Sequence, residues 1–393
     1  MVATLYRDAV LADGTSASLR LGLSVLVHDD RIVWIRPRDG EEDPGDAAVI
    51  DCSGACIVPG MVDCHSHLTL PGGAHWIERG ADPPAALMRV AEDNGDLQVR
   101  SGVRWARDVG APRGVDPDDG RERALSLGVR DRWRGRRDRP YVRAAGTWLA
   151  RRGTMPVGVD IEVDDGDGLL AAAMQQLDEG ADLVKLYMDG PDRDVAPFTA
   201  TEVARVVDAC HARGAKVTAH ATVLPGAREC AATQIDSIEH GMQLDAGICA
   251  SLASHGTAVV STLTVLRSWR SFATTTDIPR FVSDEGRAAV AAREEAALHS
   301  IALAHRSGVR ICAGTDFGGG SARANQMAWE VEALVAAGLQ PWEALAAATW
   351  HGGDLLGEPD AGRIREGGPA DFFVVHGDPL SDPSALWRVW KVA

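Results

Sequence analysis

The middle of the chain, from about residue 60 to residue 355, alternates short apolar runs with longer amphipathic stretches. The runs have the length of strands, and the stretches between them have the length of helices. This alternation predicts a parallel sheet with right-handed crossovers. Eight repeats favour a (β/α)₈ TIM barrel, with a doubly wound open sheet as the alternative. The predicted strands lie in GMVDCH, VRWARDV, YVRAAG, LVKLYM, KVTAHA, SIEHG, AVVST and RICAGTD.

Two of the intervening stretches are strong helix candidates, TATEVARVVDACHARG and DEGRAAVAAREEAALHSIALAHRSG. The second ends at Gly308, which suits the end of a helix because glycine adopts the left-handed conformation easily. No GxGxxG motif opens a helix after the first strand, which argues against a dinucleotide-binding fold.

Both chain ends have β patterns. The segment VLVHDDRIVWIRP contains two alternating runs joined at Asp29, Asp30 and Arg31, which is the pattern of a hairpin, and ADFFVVHGDP is a strand bounded by turn residues. We therefore expect residues 1–58 and 356–393 to form one small β-sandwich domain. Residues 59–355 would form the barrel.

The charge balance excludes several partners. The chain has 40 basic and 56 acidic residues, a net charge of −16, so binding to nucleic acid or to an anionic membrane is not expected. No apolar run approaches the roughly 20 residues that span a bilayer, and Arg7, Asp8 and Asp13 interrupt the N-terminus. We expect a cytoplasmic protein with a small-molecule substrate, and homo-oligomerisation is left open.

Polar side chains at the strand ends carry the chemical information. His65 and His67 are two residues apart on the first strand, so both rings point to the same side and suit one metal ion. Four later strands supply one candidate ligand each. These are Lys185, His220, His240 and Asp316. In a barrel, all of these strand ends meet at one face.

Each candidate also has a structural explanation. Lys185 alone could bury its stem and extend its head to water, His220 and His240 could be satisfied core histidines, and Asp316 could cap a helix. Together they would need several coincidences at the same face, so the combination favours a metal site.

Lys185 stands inside an apolar run, in a chain whose other lysines are only Lys216 and Lys391. Burial lowers the pKa of a lysine and frees its amine to react. Reaction with carbon dioxide gives a carbamate, a carboxylate on a long stem that can bridge two cations. Arginine cannot do this, so the lysine is consistent with a need for the amine.

The motifs PGMVDCHSH, VKLY, TAHA, SIEHG and AGTDFGG resemble those of the amidohydrolase superfamily, within it the imidazolonepropionase-like and prolidase-like branch. The resemblance implies a binuclear centre. His65, His67 and Asp316 would hold the more buried ion, and His220 and His240 the more exposed one. Carboxylated Lys185 and a hydroxide would bridge them. Zinc is the default metal, and Mn²⁺ or Fe²⁺ also suits these ligands.

The same resemblance implies a mechanism in which the hydroxide attacks a carbonyl and Asp316 carries its proton to the leaving nitrogen. Tyr187 should share a face with Lys185 and contact the substrate, the alternative being packing. Loops after the strands supply further candidates for substrate contacts, which are His75, Arg267, Trp269 and Arg270. An arginine there could bind a substrate carboxylate.

Three functions are compatible with this pattern. The first is hydrolysis of an amide bond in a small molecule such as a dipeptide or an N-acyl amino acid. The second is a cyclic-amide hydrolase (lactam or imidazolone type) or a deaminase on the same scaffold. Lys185 argues against the deaminase, because single-metal deaminases of the superfamily generally lack a bridging lysine. The third is a catalytically dead scaffold protein, which the complete set of ligand-type residues disfavours.

Overall fold

Parallel strands alternate with helices in the computed structural model, which describes residues 3–42, 44–155 and 159–393. Residues 1, 2, 43 and 156–158 of the two predicted domains lie outside the described residues. In chain order the strands are β1 (Ala3–Leu11), β2 (Arg20–His28), β3 (Arg31–Pro37), β4 (Ala48–Asp51), β5 (Ala55–Pro59), β6 (Met61–Ser66), β7 (Val103–Asp108), β8 (Arg113–Val115), β9 (Glu122–Ala124), β10 (Tyr141–Ala144), β11 (Leu149–Arg151), β12 (Ile161–Val163), β13 (Leu183–Tyr187), β14 (Lys216–Ala221), β15 (Ser237–His240), β16 (Ala258–Ser261), β17 (Ile311–Ala313), β18 (Phe372–His376) and β19 (Val389–Val392).

The helices are α1 (Trp76–Arg79), α2 (Pro84–Arg100), α3 (Leu125–Trp133), α4 (Gly166–Asp178), α5 (Ala200–His211), α6 (Leu224–Ala231), α7 (Ala246–His255), α8 (Thr264–Ser271), α9 (Pro279–Val282), α10 (Asp284–Arg306), α11 (Met327–Ala336), α12 (Pro341–Ala347) and α13 (Trp350–Leu356). Helix α5 begins with a capping box between Thr199 and Glu202. Gly308 follows α10 with a φ of 80°, as expected for a glycine just past a helix end. Within the described ranges, no helix is long and apolar enough to cross a membrane.

Each of the eight predicted strands is present, as β6, β7, β10 and β13 to β17. Strands β10, β7 and β6 form one parallel sheet, and β13 to β17 belong to a second one that β11 and β12 extend. Single parallel bridges join the sheets at Ala145–Leu183 and at Ser66–Phe317. The α/β class is therefore confirmed, but the hydrogen bonds do not form the continuous ladder of a closed barrel. The strands at these joints are short, since β10 has four residues and β17 has three.

The strands from the two chain ends pair with each other. Their order is β19-β18-β5-β1-β2-β3, and β4 pairs with β1 beside β5. The predicted hairpin is β2–β3, and Asp29 in its turn has a φ of 56°. This pairing gives one branched sheet. The sandwich of two sheets stays a prediction. The domain boundaries after residues 58 and 355 also stay predictions.

Candidate metal centre

Five of the six predicted ligands come together at the carboxyl ends of the parallel strands. Nε2 of His65 and Nε2 of His67 lie 3.4 and 3.2 Å from Oδ1 of Asp316. On the opposite side, Nε2 of His240 lies 2.8 Å from Nδ1 of His220. His65, His240 and Asp316 each offer a ligand atom within 4.8 Å of the others. These separations are suitable for side chains that share a bound cation.

The outward ring nitrogens of three histidines are held by acceptors. Nδ1 of His65 lies 2.6 Å from a Glu239 oxygen, and Nδ1 of His67 lies 2.8 Å from the Gly110 carbonyl. Nε2 of His220 lies 3.2 Å from Asp189. Because a carboxylate and a carbonyl only accept, each of these nitrogens carries a hydrogen and donates it. In this tautomer the inward nitrogen of a ring carries the lone pair, as a metal ligand requires.

Lys185 lies in β13 with only 1% of its surface exposed. Among the described residues, its Nζ has no hydrogen-bond partner. Burial lowers the pKa of Lys185 to about 8, with a further lowering by Arg107 and an opposing effect of Glu239. About a tenth of the amine is therefore neutral at pH 7, far more than for an ordinary lysine, and the neutral amine is the form that reacts with carbon dioxide.

Asp316 remains ionised in this cluster. Burial raises its pKa, but the adjoining imidazoles of His65 and His67 outweigh burial and hold the pKa of Asp316 well below the usual value. Its backbone has a φ of 50°, an uncommon conformation for a residue other than glycine. The glycines that follow Asp316 have no side chain, so the His67 ring and the Asp316 carboxylate lie close to the backbone of this loop. A Cβ on Gly319 would lie 2.3 Å from His67, and one on Gly320 would lie 2.5 Å from Asp316.

His240 also has a left-handed backbone, with a φ of 71°. Successive side chains of a strand normally point to opposite faces. The conformation at this strand end lets two adjacent residues reach the site, since Glu239 contacts His65 and His240 contacts His220. Strained backbone of this kind persists where the surrounding structure holds it, which is frequent at functional sites.

A buried ion pair behind His65 was absent from the sequence prediction. Nη2 of Arg107 donates to Glu239 at 2.6 Å, and both side chains are nearly inaccessible. Burial raises the pKa of Glu239, but the charges of Arg107 and Lys185 outweigh it and lower that pKa well below normal. Charged residues in the buried segments SIEHG and VRWARDV were the available signal, because a buried charge needs a partner.

Two aromatic side chains adjoin the ligand-type histidines, one of them stacked and the other tilted. The ring of Tyr187 lies parallel to His220 with centroids 4.0 Å apart, and Trp148 lies 5.1 Å from His67. Burial raises the pKa of Tyr187, which keeps its hydroxyl protonated. This places Tyr187 beside the candidate centre, as the sequence predicts. Its contact with substrate stays a prediction.

The other predicted substrate contacts lie at the start of α1 and in α8. His75 is largely exposed at the start of α1. Arg267, Trp269 and Arg270 line a cavity of about 750 Å³ beside α8 and α10. Arg267 pairs with Glu332 and Arg270 with Glu294. Trp269 reaches the loop after Asp316, since its Nε1 donates to the Gly320 carbonyl at 3.1 Å. The role of all four in substrate binding stays a prediction.

The fold and this cluster define an α/β protein with a metal-type ligand set at the carboxyl ends of parallel strands, which is an arrangement used by hydrolases. The chain belongs to the amidohydrolase family, whose sequence model matches residues 56–392. It is accordingly a hydrolase that acts on carbon–nitrogen bonds.

Known proteins resemble the chain over nearly its whole length. It is 31% identical over 369 residues to an uncharacterised protein of Mycobacterium tuberculosis, covering 90% of this chain and 88% of the other. It is 28% identical over 427 residues to the imidazolonepropionase of Salinispora arenicola, covering 99% and 93%. A solved Xaa-Pro dipeptidase with bound methionine in the active site superimposes with a TM-score of 0.82 at 24% identity, covering 98% and 97%. The last similarity concerns the fold alone.

Proposed function

We propose that this chain is a binuclear metal-dependent hydrolase that cleaves an amide bond in a small molecule such as a dipeptide or an N-acyl amino acid. One observation carries the proposal. Lys185 is buried beside the converging histidine and aspartate ligand atoms. No described residue provides a hydrogen-bond partner for its amine. A structural lysine would be expected to have its amine satisfied.

The residues fit two divalent ions. His65, His67 and Asp316 would hold one ion, His220 and His240 the other, and carboxylated Lys185 would bridge them. Imidazole and carboxylate ligands favour Zn²⁺, and Mn²⁺ or Fe²⁺ also suits them. When bound, the ions supply a hydroxide nucleophile near neutral pH and polarise the substrate carbonyl.

The chain itself moves the proton and orients the ligands. Asp316 is ionised and adjoins His65 and His67, so it can accept the proton of the nucleophile and return it to the leaving nitrogen. Tyr187 keeps its hydroxyl proton and can donate it as a hydrogen bond to the substrate. Glu239 and Asp189 fix the rings of His65 and His220, which sets the direction of the ligand lone pairs.

Ring opening of a cyclic amide is the second candidate. The similarity to an imidazolonepropionase over 99% of the chain favours it, and the site chemistry is the same because a lactam is also an amide. A deaminase is disfavoured by Lys185, and a dead scaffold is disfavoured by the complete ligand set. A cytoplasmic location and homo-oligomerisation stay predictions from the sequence.

A substrate screen tests this function. The chain, reconstituted with Zn²⁺ and bicarbonate, is offered dipeptides, N-acyl amino acids and cyclic amides, while released primary amine, ring opening and free ammonia are followed separately. We expect amine release from linear amides, lost after chelation and restored by metal. Ring opening alone would favour the second candidate. Release of ammonia alone would show a deaminase, and cleavage of no compound would contradict the proposal.

A further inference from the structure

A smaller cavity lies beside the candidate centre, on the side of His220. Its volume is about 230 Å³, and it is lined by Arg193, Thr222, Met242, Gln243, Ala292, Arg293 and Ala296. Thr222 is hydrogen-bonded through its amide and its hydroxyl to Asp189, which also accepts from His220. The cavity wall is therefore separated from a ligand-type histidine by a single side chain.

Two solvent-exposed arginines line this cavity without a carboxylate partner among the described residues. No ion pair forms at Arg193 or Arg293 within residues 3–42, 44–155 and 159–393, whereas Arg267 and Arg270 nearby each pair with a glutamate. The guanidinium of Arg293 lies 5.7 Å from the centroid of Trp269. In a chain with a net charge of −16, these two guanidinium groups give one cavity a local positive charge.

The electrostatic setting favours an anion between them. Arg293 is exposed at the cavity rim, where partial desolvation lowers its pKa and the positive charge of Arg193 lowers it further, so the two cations repel each other. The charge of Asp189 acts favourably on Arg293, but the Asp189 oxygens already accept hydrogen bonds from His220 and Thr222. A bound carboxylate would relieve the repulsion and accept charge-assisted hydrogen bonds.

We propose that Arg193 and Arg293 form a subsite for a carboxylate group of the substrate. The inference rests on the proposed function and narrows it to amides with a free carboxylate, such as N-acyl amino acids and dipeptides. Trp269 connects the subsite to the loop that follows Asp316, because its ring packs against Arg293 and its Nε1 donates to the Gly320 carbonyl. Planar guanidinium groups bind carboxylates with two parallel hydrogen bonds, which gives both orientation and affinity.

Matched substrate pairs test the subsite. Each N-acetyl amino acid is compared with its carboxamide, using the Zn²⁺-loaded chain and the variants Arg193→Met and Arg293→Met. Arg205→Met is the control, since Arg205 is an exposed residue of α5 that pairs with Asp167. Binding of N-acetyl-L-methionine and N-acetyl-L-methioninamide to the metal-depleted chain is measured by calorimetry, so that affinity is read without turnover.

We expect the unmodified chain to prefer the acid in each pair. Each variant should raise KM for the acid by about 10- to 100-fold, which is the loss of one charge-assisted hydrogen-bonded contact, with kcat changed much less. KM and kcat for the carboxamide should be the same in the unmodified chain and in both variants. Arg205→Met should leave KM and kcat for the acid unchanged. The calorimetric affinity for N-acetyl-L-methionine should fall by a similar factor.

The outcomes separate the two proposals. Hydrolysis of amides with no preference for the acid, or with a preference that survives both variants, would overturn the subsite and leave the hydrolase proposal standing. Arginine-dependent binding of N-acetyl-L-methionine with no hydrolysis of any amide would support the subsite and overturn the proposed function. Absence of both binding and hydrolysis would overturn both.

Discussion

At the scale of single residues, Lys185 differs from the other basic side chains because its amine is buried and the described structure offers it no hydrogen-bond acceptor. A buried cation without a partner is costly, so conversion to a carbamate explains the position chemically. The carbamate would carry a negative charge into a cluster of imidazole rings and would turn the unsatisfied nitrogen into part of a bridging ligand.

The variant Lys185→Ala should keep about one of the two metal ions and lower turnover by at least about 100-fold, since paired metal ions lower the reaction barrier by several kcal/mol. Metal content and kcat are measured together, with and without acetate or formate as a substitute carboxylate. Lys216→Ala is the control, because Lys216 is a partly exposed residue of β14. Full activity in Lys185→Ala, or no recovery with any short-chain acid, would count against the carbamate.

The variant Asp316→Asn tests the proton carrier. The amide has nearly the same shape but cannot accept the proton, so kcat should fall by about 100- to 10,000-fold while the circular dichroism spectrum stays native. Turnover is measured on the best substrate of the screen. A variant with normal kcat would show that another group carries the proton.

Asp160 gives a prediction about stability. Neither of its carboxylate oxygens has a hydrogen-bond partner in the described part of the chain, and burial raises its pKa. A carboxyl group whose pKa rises on folding destabilises the folded state once it is ionised. The penalty is therefore present above its folded pKa and disappears below the unfolded value of about 3.9.

The variant Asp160→Asn should thus raise Tm by about 1–2 °C near pH 8, with a smaller difference near pH 4. Thermal unfolding at both pH values measures this. Asp164→Asn is the matched control, because its hydrogen bond with Arg152 lowers the pKa of Asp164 and its charge is favourable. A lower Tm for Asp160→Asn near pH 8 would show that the carboxylate is satisfied in solution.

At the scale of elements, the loop after β17 sets the position of Asp316. A Cβ on Gly320 would lie 2.5 Å from Oδ2 of Asp316 and 2.5 Å from Val265, so Gly320→Ala must displace the carboxylate or the loop. We expect kcat to fall by about 100-fold, as for a catalytic group misplaced by an ångström. Gly40→Ala is the control, since a Cβ there meets nothing. Equal activity of both variants would contradict this account of the loop.

The sequence was most informative at this scale. Apolar runs that end in His, Lys or Asp predict which strand ends carry ligands, because the pattern is local, and the structure brings those residues together. The Arg107–Glu239 pair was not predictable in the same way. It joins β7 to β15, and no local pattern specifies which buried charges meet. The left-handed backbone of His240 also depends on its surroundings, since only a few per cent of residues other than glycine adopt this conformation.

At the scale of the whole molecule, the hydrogen-bonded order of the parallel strands brings distant segments to one face. The first and last of these strands, β6 and β17, are almost 250 residues apart, and the amide of Asp316 nevertheless donates to the His65 carbonyl at 2.7 Å. The alternation of strands and helices predicts this neighbourhood. The strands at the two joints are short, and local packing decides how many hydrogen bonds they form. The predicted barrel is therefore observed as two sheets joined by single bridges.

The central claim is that the converging histidines, Asp316 and Lys185 hold two metal ions. Elemental analysis of the purified chain, supplied with Zn²⁺ and bicarbonate, measures the number of ions per chain directly. The account predicts about two, as in other sites that use paired metals, and about one after Lys185→Ala. A value near one for the unmodified chain would favour a single-metal site, and a value near zero would contradict the account.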